Sequence, residues 1–162
     1  MQNSTRTANR SRFLSLSKVL LLAVGLTSSA FASLGGDASS VEADRAKMQA
    51  SLQTTKTDSF TVHEVHTPAR TVIREYVSPG GRVFGVSWTG PFIPDMQQIL
   101  GDHFQQYVSA AKAASSPGSG RRPLHIEQPN FVLHNSGHMR FYSGKAYDPS
   151  LLPQGVTAND VR

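Results

Sequence analysis

The chain contains no cysteine. That excludes disulfides, thiol nucleophiles, thiolate-held zinc or iron–sulfur centres, and a lipid anchor built on cysteine. Charge is sparse too, at 17% of residues against roughly 25% in an average soluble chain. Long apolar runs are missing: Val19 to Leu26 gives eight such residues with one glycine, and a spanning helix needs about 20. Glycine (13) and proline (9) are at ordinary levels in 162 residues, which excludes collagen-like and broadly disordered chains. Acidic residues are absent from residues 1–32, which hold Arg6, Arg10, Arg12 and Lys18. Subtracting these four cations from 16 Lys plus Arg leaves 12 against 11 Asp plus Glu. Of the net charge of +5, the leader therefore carries +4 and the rest of the chain +1, and nucleic acid is not an expected partner.

Residues 1–32 have the parts of a secretory signal peptide: a basic stretch, the apolar run, and small residues leading to Ala30-Phe31-Ala32. Cleavage near Ala32 is expected, with the mature chain periplasmic or secreted and without a membrane span. Residues 33–162 are expected to form one domain that stands on its hydrophobic core alone.

Ser39-Ser40-Val41-Glu42 is a capping-box pattern, predicting a short amphipathic helix that runs to Leu52. From Ser59 the apolar period becomes two, with Phe60, Val62, Val72, Tyr76, Phe84, Val86 and Trp88 as one expected core face. The breaks at Thr67-Pro68-Ala69-Arg70 and Ser78-Pro79-Gly80-Gly81 are turn chemistry, so a three-stranded antiparallel meander is expected. A three-residue turn at Pro68-Ala69-Arg70 would set Glu64 opposite Arg74 and His63 opposite Glu75. Such charge pairs are ordinary cross-strand chemistry.

Pro94-Asp95 opens a helix expected over 95–113. Met96, Ile99, Leu100, Phe104, Tyr107, Val108 and Ala111 form one stripe, with Asp102, His103, Gln105 and Gln106 off it. A flexible loop is expected at 114–123. Strands are then expected at 124–127, 131–134 and 138–143, with Asn135-Ser136-Gly137 turning the last pair. In that register His134 faces His138, and Phe131, Leu133, Met139 and Phe141 share a buried face. The tail from Asp148 is expected to run irregularly over the surface. The fold class is thus α+β: one antiparallel sheet of five to six strands, with a long helix packed on it and a shorter N-terminal helix.

No complete catalytic constellation is present. Gly85-Val86-Ser87-Trp88-Thr89-Gly90 misses the nucleophile-elbow spacing by one residue, and Leu34-Gly35-Gly36-Asp37 lacks the lysine of a phosphate loop. His63 and His66, three apart, fall on opposite faces of a strand. His134 and His138, facing each other at about 4.5–5.5 Å between Cβ atoms, could share a metal with His125 as third ligand, since zinc takes at least three protein ligands. The candidate ligand surface is the cluster Arg74, Glu75, Tyr76 and Arg82 around Gly80-Gly81. No cofactor is expected.

Leu34-Gly35-Gly36-Asp37-Ala38, Val62-His63-Glu64, and Arg74-Glu75-Tyr76-Val77-Ser78-Pro79-Gly80-Gly81-Arg82-Val83-Phe84 are the strongest signature blocks. Trp88 with Gly90-Pro91, Pro94-Asp95, Leu100-Gly101, Ser136-Gly137 and Leu151-Leu152-Pro153 extend them. On these residues the chain resembles the exported bacterial family called domain of unknown function 2844. The resemblance implies a small exported domain and carries no activity, cofactor or catalytic residue. The leading expectation is a non-catalytic binding or accessory protein of the cell envelope, acting on an envelope protein or small ligand. The alternatives are a periplasmic hydrolase or metal-dependent enzyme using His134 or His138, and an assembly joined through sheet edges.

Overall fold

The computed structural model describes residues 33–38, 51–115 and 123–162. The expected signal peptide, most of the expected N-terminal helix and nearly all of the expected loop lie outside these residues. Seven strands form one antiparallel sheet: β1 (Ser51–Lys56), β2 (Thr61–His66), β3 (Val72–Val77), β4 (Val83–Gly90), β5 (Leu124–Gln128), β6 (Phe131–His138) and β7 (Phe141–Tyr147). Their order is β1-β2-β3-β4-β7-β6-β5. Two helical legs follow β4, α1 (Met96–Leu100) and α2 (Phe104–Ala114), joined by a 3-10 turn at Gly101–His103. No helix among the described residues is long and apolar enough to cross a membrane. The architecture is α+β.

The count of strands corrects the expected five to six. Ser51 and Leu52, placed by sequence at the end of a helix, open β1, where Leu52 pairs with Val65. Alternation there is masked because five of its six residues are exposed.

One face of the sheet packs against the helical legs. Val65, Ile73, Val86, Trp88, Phe131, Leu133 and Ala146 meet Leu34, Met96, Ile99 and Leu100 there. Asp95 caps α1 by accepting from the Gln97 and Gln98 amides at 3.0 and 3.2 Å. The expected helix forms, but it is bent: Gly101 has a φ of +52° and the following turn is 3-10. That break shifts the helical phase, so His103, expected off the apolar stripe, is buried and stacked on Phe131 at 4.9 Å between ring centres. Leu34 is tied to the same region by its amide, which donates to the Ile99 carbonyl at 3.1 Å.

The opposite face is covered by the final segment, which we call the strap (residues 148–162). It begins with a 3-10 turn at Pro149–Leu151 and packs Leu151, Leu152, Val156 and Val161 on Phe60, Val62, Tyr76, Phe84 and Tyr147. Its path is irregular as expected, but it is no mere surface tail, because Val161 is fully buried.

This two-sided burial corrects the single expected core face. A register shift between Tyr76 and Val77 pairs Tyr76 with Gly85 but Val77 with Val83, leaving Phe84 as the extra residue. A bulge of this kind breaks the period of two. Tyr76 and Phe84 consequently face the strap while Val86 and Trp88 face the helices.

The last hairpin is corrected as well. β6 runs through Asn135, Ser136 and Gly137, and the chain turns at Met139-Arg140, with Arg140 at φ +65°. Gly137 and Gly144 are not turn residues. A Cβ on Gly137 would lie 2.6 Å from the Tyr142 ring, and one on Gly144 would lie 2.3 Å from the Trp88 ring. Met139 and Phe141, expected to be buried, are exposed.

Candidate functional site

Turn chemistry sets which polar side chains meet on the strap-covered face. The three-residue turn Pro68-Ala69-Arg70 is closed by Thr67 and Thr71, and Arg70 takes a φ of +61°. It places Glu64 opposite Arg74 and His63 opposite Glu75, as expected. The Met139-Arg140 turn places Lys145 opposite His134, and the Pro129-Asn130 turn places His134 opposite His125. Through the pairs Arg74 with Ser87 and Ser87 with Lys145, one polar row crosses the whole sheet: Gln53, Glu64, Arg74, Ser87, Lys145, His134, His125. Cross-strand partners share a face, so all seven point toward the strap side.

The strap divides this row into two hollows. Arg162 lies between them, lining both. Its carbonyl accepts from the Tyr76 hydroxyl and from Ser87 Oγ at 3.1 Å, and its amide donates to Tyr76 Oη at 2.9 Å. Lys145 Nζ donates to the Ala158 and Val161 carbonyls at 2.7 and 3.1 Å. An ammonium has three donors, so after these two bonds one N–H is left. Asp160 accepts from the Thr157 amide and hydroxyl at 2.7 and 2.9 Å. Those bonds hold its carboxyl below the usual carboxylate range.

The first hollow, about 290 Å³, is lined by Ser87, Thr89, Ser136 and Ser143 hydroxyls, the imidazoles of His125 and His134, Lys145 and Arg162. Thr89, Ser143 and Ser136 form a second cross-strand row beside the first. The two imidazoles are 4.8 Å apart between ring centres. His134 Nε2 is buried with no hydrogen-bond partner among the described residues, and such a group costs about 1–3 kcal/mol. No carboxylate side chain is among the described lining residues. The second hollow, about 500 Å³, holds Glu64, Arg74, Tyr76 and Asp160. There Glu64 is engaged by Arg74 Nε at 2.6 Å and His66 Nε2 at 2.7 Å.

The expected ligand cluster is only partly assembled. Arg74 and Tyr76 share the second hollow, but Glu75 is buried on the helical face, because neighbours along a strand point to opposite sides. Arg82 is exposed in the β3–β4 turn and pairs through its backbone with Asp37 as an isolated antiparallel bridge. The expected metal trio is likewise split. His125 and His134 meet, while His138 faces Phe141 and stacks on its ring at 5.6 Å. Four strand residues separate His138 from His134, roughly 13 Å at the usual rise. No group of three or more His, Asp or Glu among the described residues could hold a metal ion.

The sequence marks Ser87 only as the centre of a failed nucleophile elbow, and does not single out Lys145 or Arg162. A signal existed for Ser87, a lone hydroxyl inside the apolar strand 83–88. Lys145 needed the turn at Met139-Arg140, which fixes the phase of β7, and Arg162 needed the docked strap.

No curated protein and no solved structure matches the chain. The family described as "Protein of unknown function (DUF2844)" matches over residues 30–161. That stretch contains both faces of the sheet, the strap and all but the last residue of the polar site, and the chain belongs to this family.

Proposed function

We propose that this chain is a non-catalytic binding protein of the cell envelope, and that the hollow beneath the strap takes a small anionic ligand. One observation carries the reading: Lys145, Arg162, two imidazoles and four hydroxyls converge on one cavity whose described lining holds no carboxylate side chain. Convergent donors with no lining carboxylate side chain favour an anion, and charge-assisted bonds are the stronger kind. The orphaned His134 nitrogen gains a partner when a ligand hydroxyl or oxygen reaches it. The basic and apolar leader supports export, and the envelope as the compartment.

Hydrolysis is not favoured by this geometry. The Ser87 hydroxyl is given to the Arg162 carbonyl, and no carboxylate is placed to orient either imidazole of the hollow as a general base requires.

The test is titration of the full chain with inorganic phosphate and a panel of short mono- and dicarboxylates, followed by calorimetry and the imidazole resonances. At least one anion is expected to shift the His125 and His134 signals saturably. His125→Gln, at an exposed position, is expected to weaken it about tenfold, the worth of one charge-assisted hydrogen bond. A panel that leaves both signals still, or a His125→Gln chain that binds as well as the parent, would overturn the reading.

A further inference from the structure

The exposed large hydrophobic side chains of the described residues are Phe92 (60%), Ile93 (45%), Met139 (82%) and Phe141 (47%). Topology gathers all four at one end of the sheet. Gly90, the last residue of β4, pairs with Tyr142, which pairs with Gly137. The segment after β4 and the tip of the β6–β7 hairpin therefore leave the sheet together. The β2–β3 turn is at this end too, since the Thr71 hydroxyl donates to the Phe92 carbonyl at 3.0 Å. Ile93 joins the two sides: it lines one hollow with Pro68, Ala69 and Phe92, and another with Tyr107, Gly137 and Tyr142.

The cations at this end are placed at the extreme tips. Arg70 and Arg140 are both exposed and both in left-handed backbone conformations, at φ +61° and +65°. Among the described residues Asp95 is the nearby acid, and its carboxylate is turned onto the α1 amides as a cap. The exposed carboxylates Asp58 and Glu127 lie toward the opposite end of the sheet. Clustered apolar side chains are costly to leave in water and mark contact surfaces. A second copy docked through this end would gather four arginines, two from each copy, into one interface, and like charges across an interface are disfavoured.

We infer that this end of the sheet docks on an anionic bilayer surface, with Phe92, Ile93, Met139 and Phe141 entering the headgroup layer and Arg70 and Arg140 pairing with lipid phosphates. Apolar side chains buried a short way into the interface, with basic residues beside them, are the physics of peripheral membrane contact. The inference is independent of the anion hollow.

A cysteine-free chain can be labelled at one chosen site. An environment-sensitive fluorophore is attached to the full chain at Met139→Cys, and in a control at Glu127→Cys. Each labelled chain is checked for folding by the emission of the buried Trp88. Mixed phosphatidylcholine–phosphatidylglycerol vesicles are expected to blue-shift the label at 139 and expose it to quenchers carried on the lipid tails, while the label at 127 stays in water. Arg70→Asn and Arg140→Asn, which tolerate the left-handed backbone, are each expected to weaken the embedded signal about fivefold. A leader that merely tethers the chain would leave the 139 label unshifted, and that result overturns the inference. Equal shifts at both labels overturn it as well. A shift without vesicles that grows with protein concentration also overturns it, in favour of a second copy.

Discussion

At the scale of single residues, one glycine and one histidine show how tightly the sheet is specified. Gly144 pairs with Trp88, and a Cβ there would sit 2.3 Å from the indole. Trp88 is fully buried and cannot retreat without opening the core. Gly144→Ala is therefore expected to destabilise the fold by roughly 1–3 kcal/mol, the usual cost of overpacking, read as a lower urea midpoint at unchanged slope. His63 faces Glu75 and meets the Thr54 hydroxyl at 3.1 Å. Burial holds its pKa below its ordinary 6.5. The unfolded chain then binds the proton more readily than the folded one. Stability from this site is full above 6.5 and drains as pH falls through the lower folded value. His63→Gln is expected to flatten that part of the stability curve measured by thermal melts. A variant that keeps the full slope would assign it to other groups.

At the scale of elements, the strap is the part whose docking rests on a handful of bonds. Tyr76 alone makes two of them to Arg162, across 86 residues of chain. Tyr76→Phe keeps the ring packing against Phe60 and Phe84 and removes only the hydroxyl. A loss of about 1 kcal/mol is expected from the bonds, and hydrogen exchange should quicken in residues 158–162 while β3 and β4 stay protected. If exchange quickens throughout, the strap is not a separate unit and opens only with the sheet. The helical legs show the same division between what is local and what is not. Asp95 and the apolar stripe are local signals; the cap is realised and so is the stripe through Met96, Ile99, Leu100, Phe104 and Tyr107, but Ala110 rather than Val108 and Ala111 continues it into the core. The bend at Gly101 answers to Leu34, reaching in from far along the chain.

At the scale of the whole molecule, what could be read from the sequence was whatever depends on near neighbours. The α+β class, the β2–β3 turn with its Glu64–Arg74 pair, and the helix start all follow from local chemistry. Three things did not. The bulge at Phe84 reverses the alternation midway along a strand, and periodicity contains no mark of such an insertion. Gly137 looks like a turn residue, yet it serves to admit Tyr142 across the strand. And β1, an edge strand with mostly exposed residues, carries no apolar alternation to announce itself. The site inherited these misreadings, since Lys145 meets His134 only in the corrected register and Arg162 arrives only with the strap.

The arrangement of the strap has a consequence for how this family can vary. The sheet's helical side draws its packing from residues before 147, whereas the hollow, walled by sheet residues, is closed on one side by Arg162 and the strap carbonyls that hold Lys145 and Ser87. Substitutions at the exposed positions near the end of the chain, away from the buried Val161, can alter how the hollow is closed while the helical side of the sheet keeps its packing.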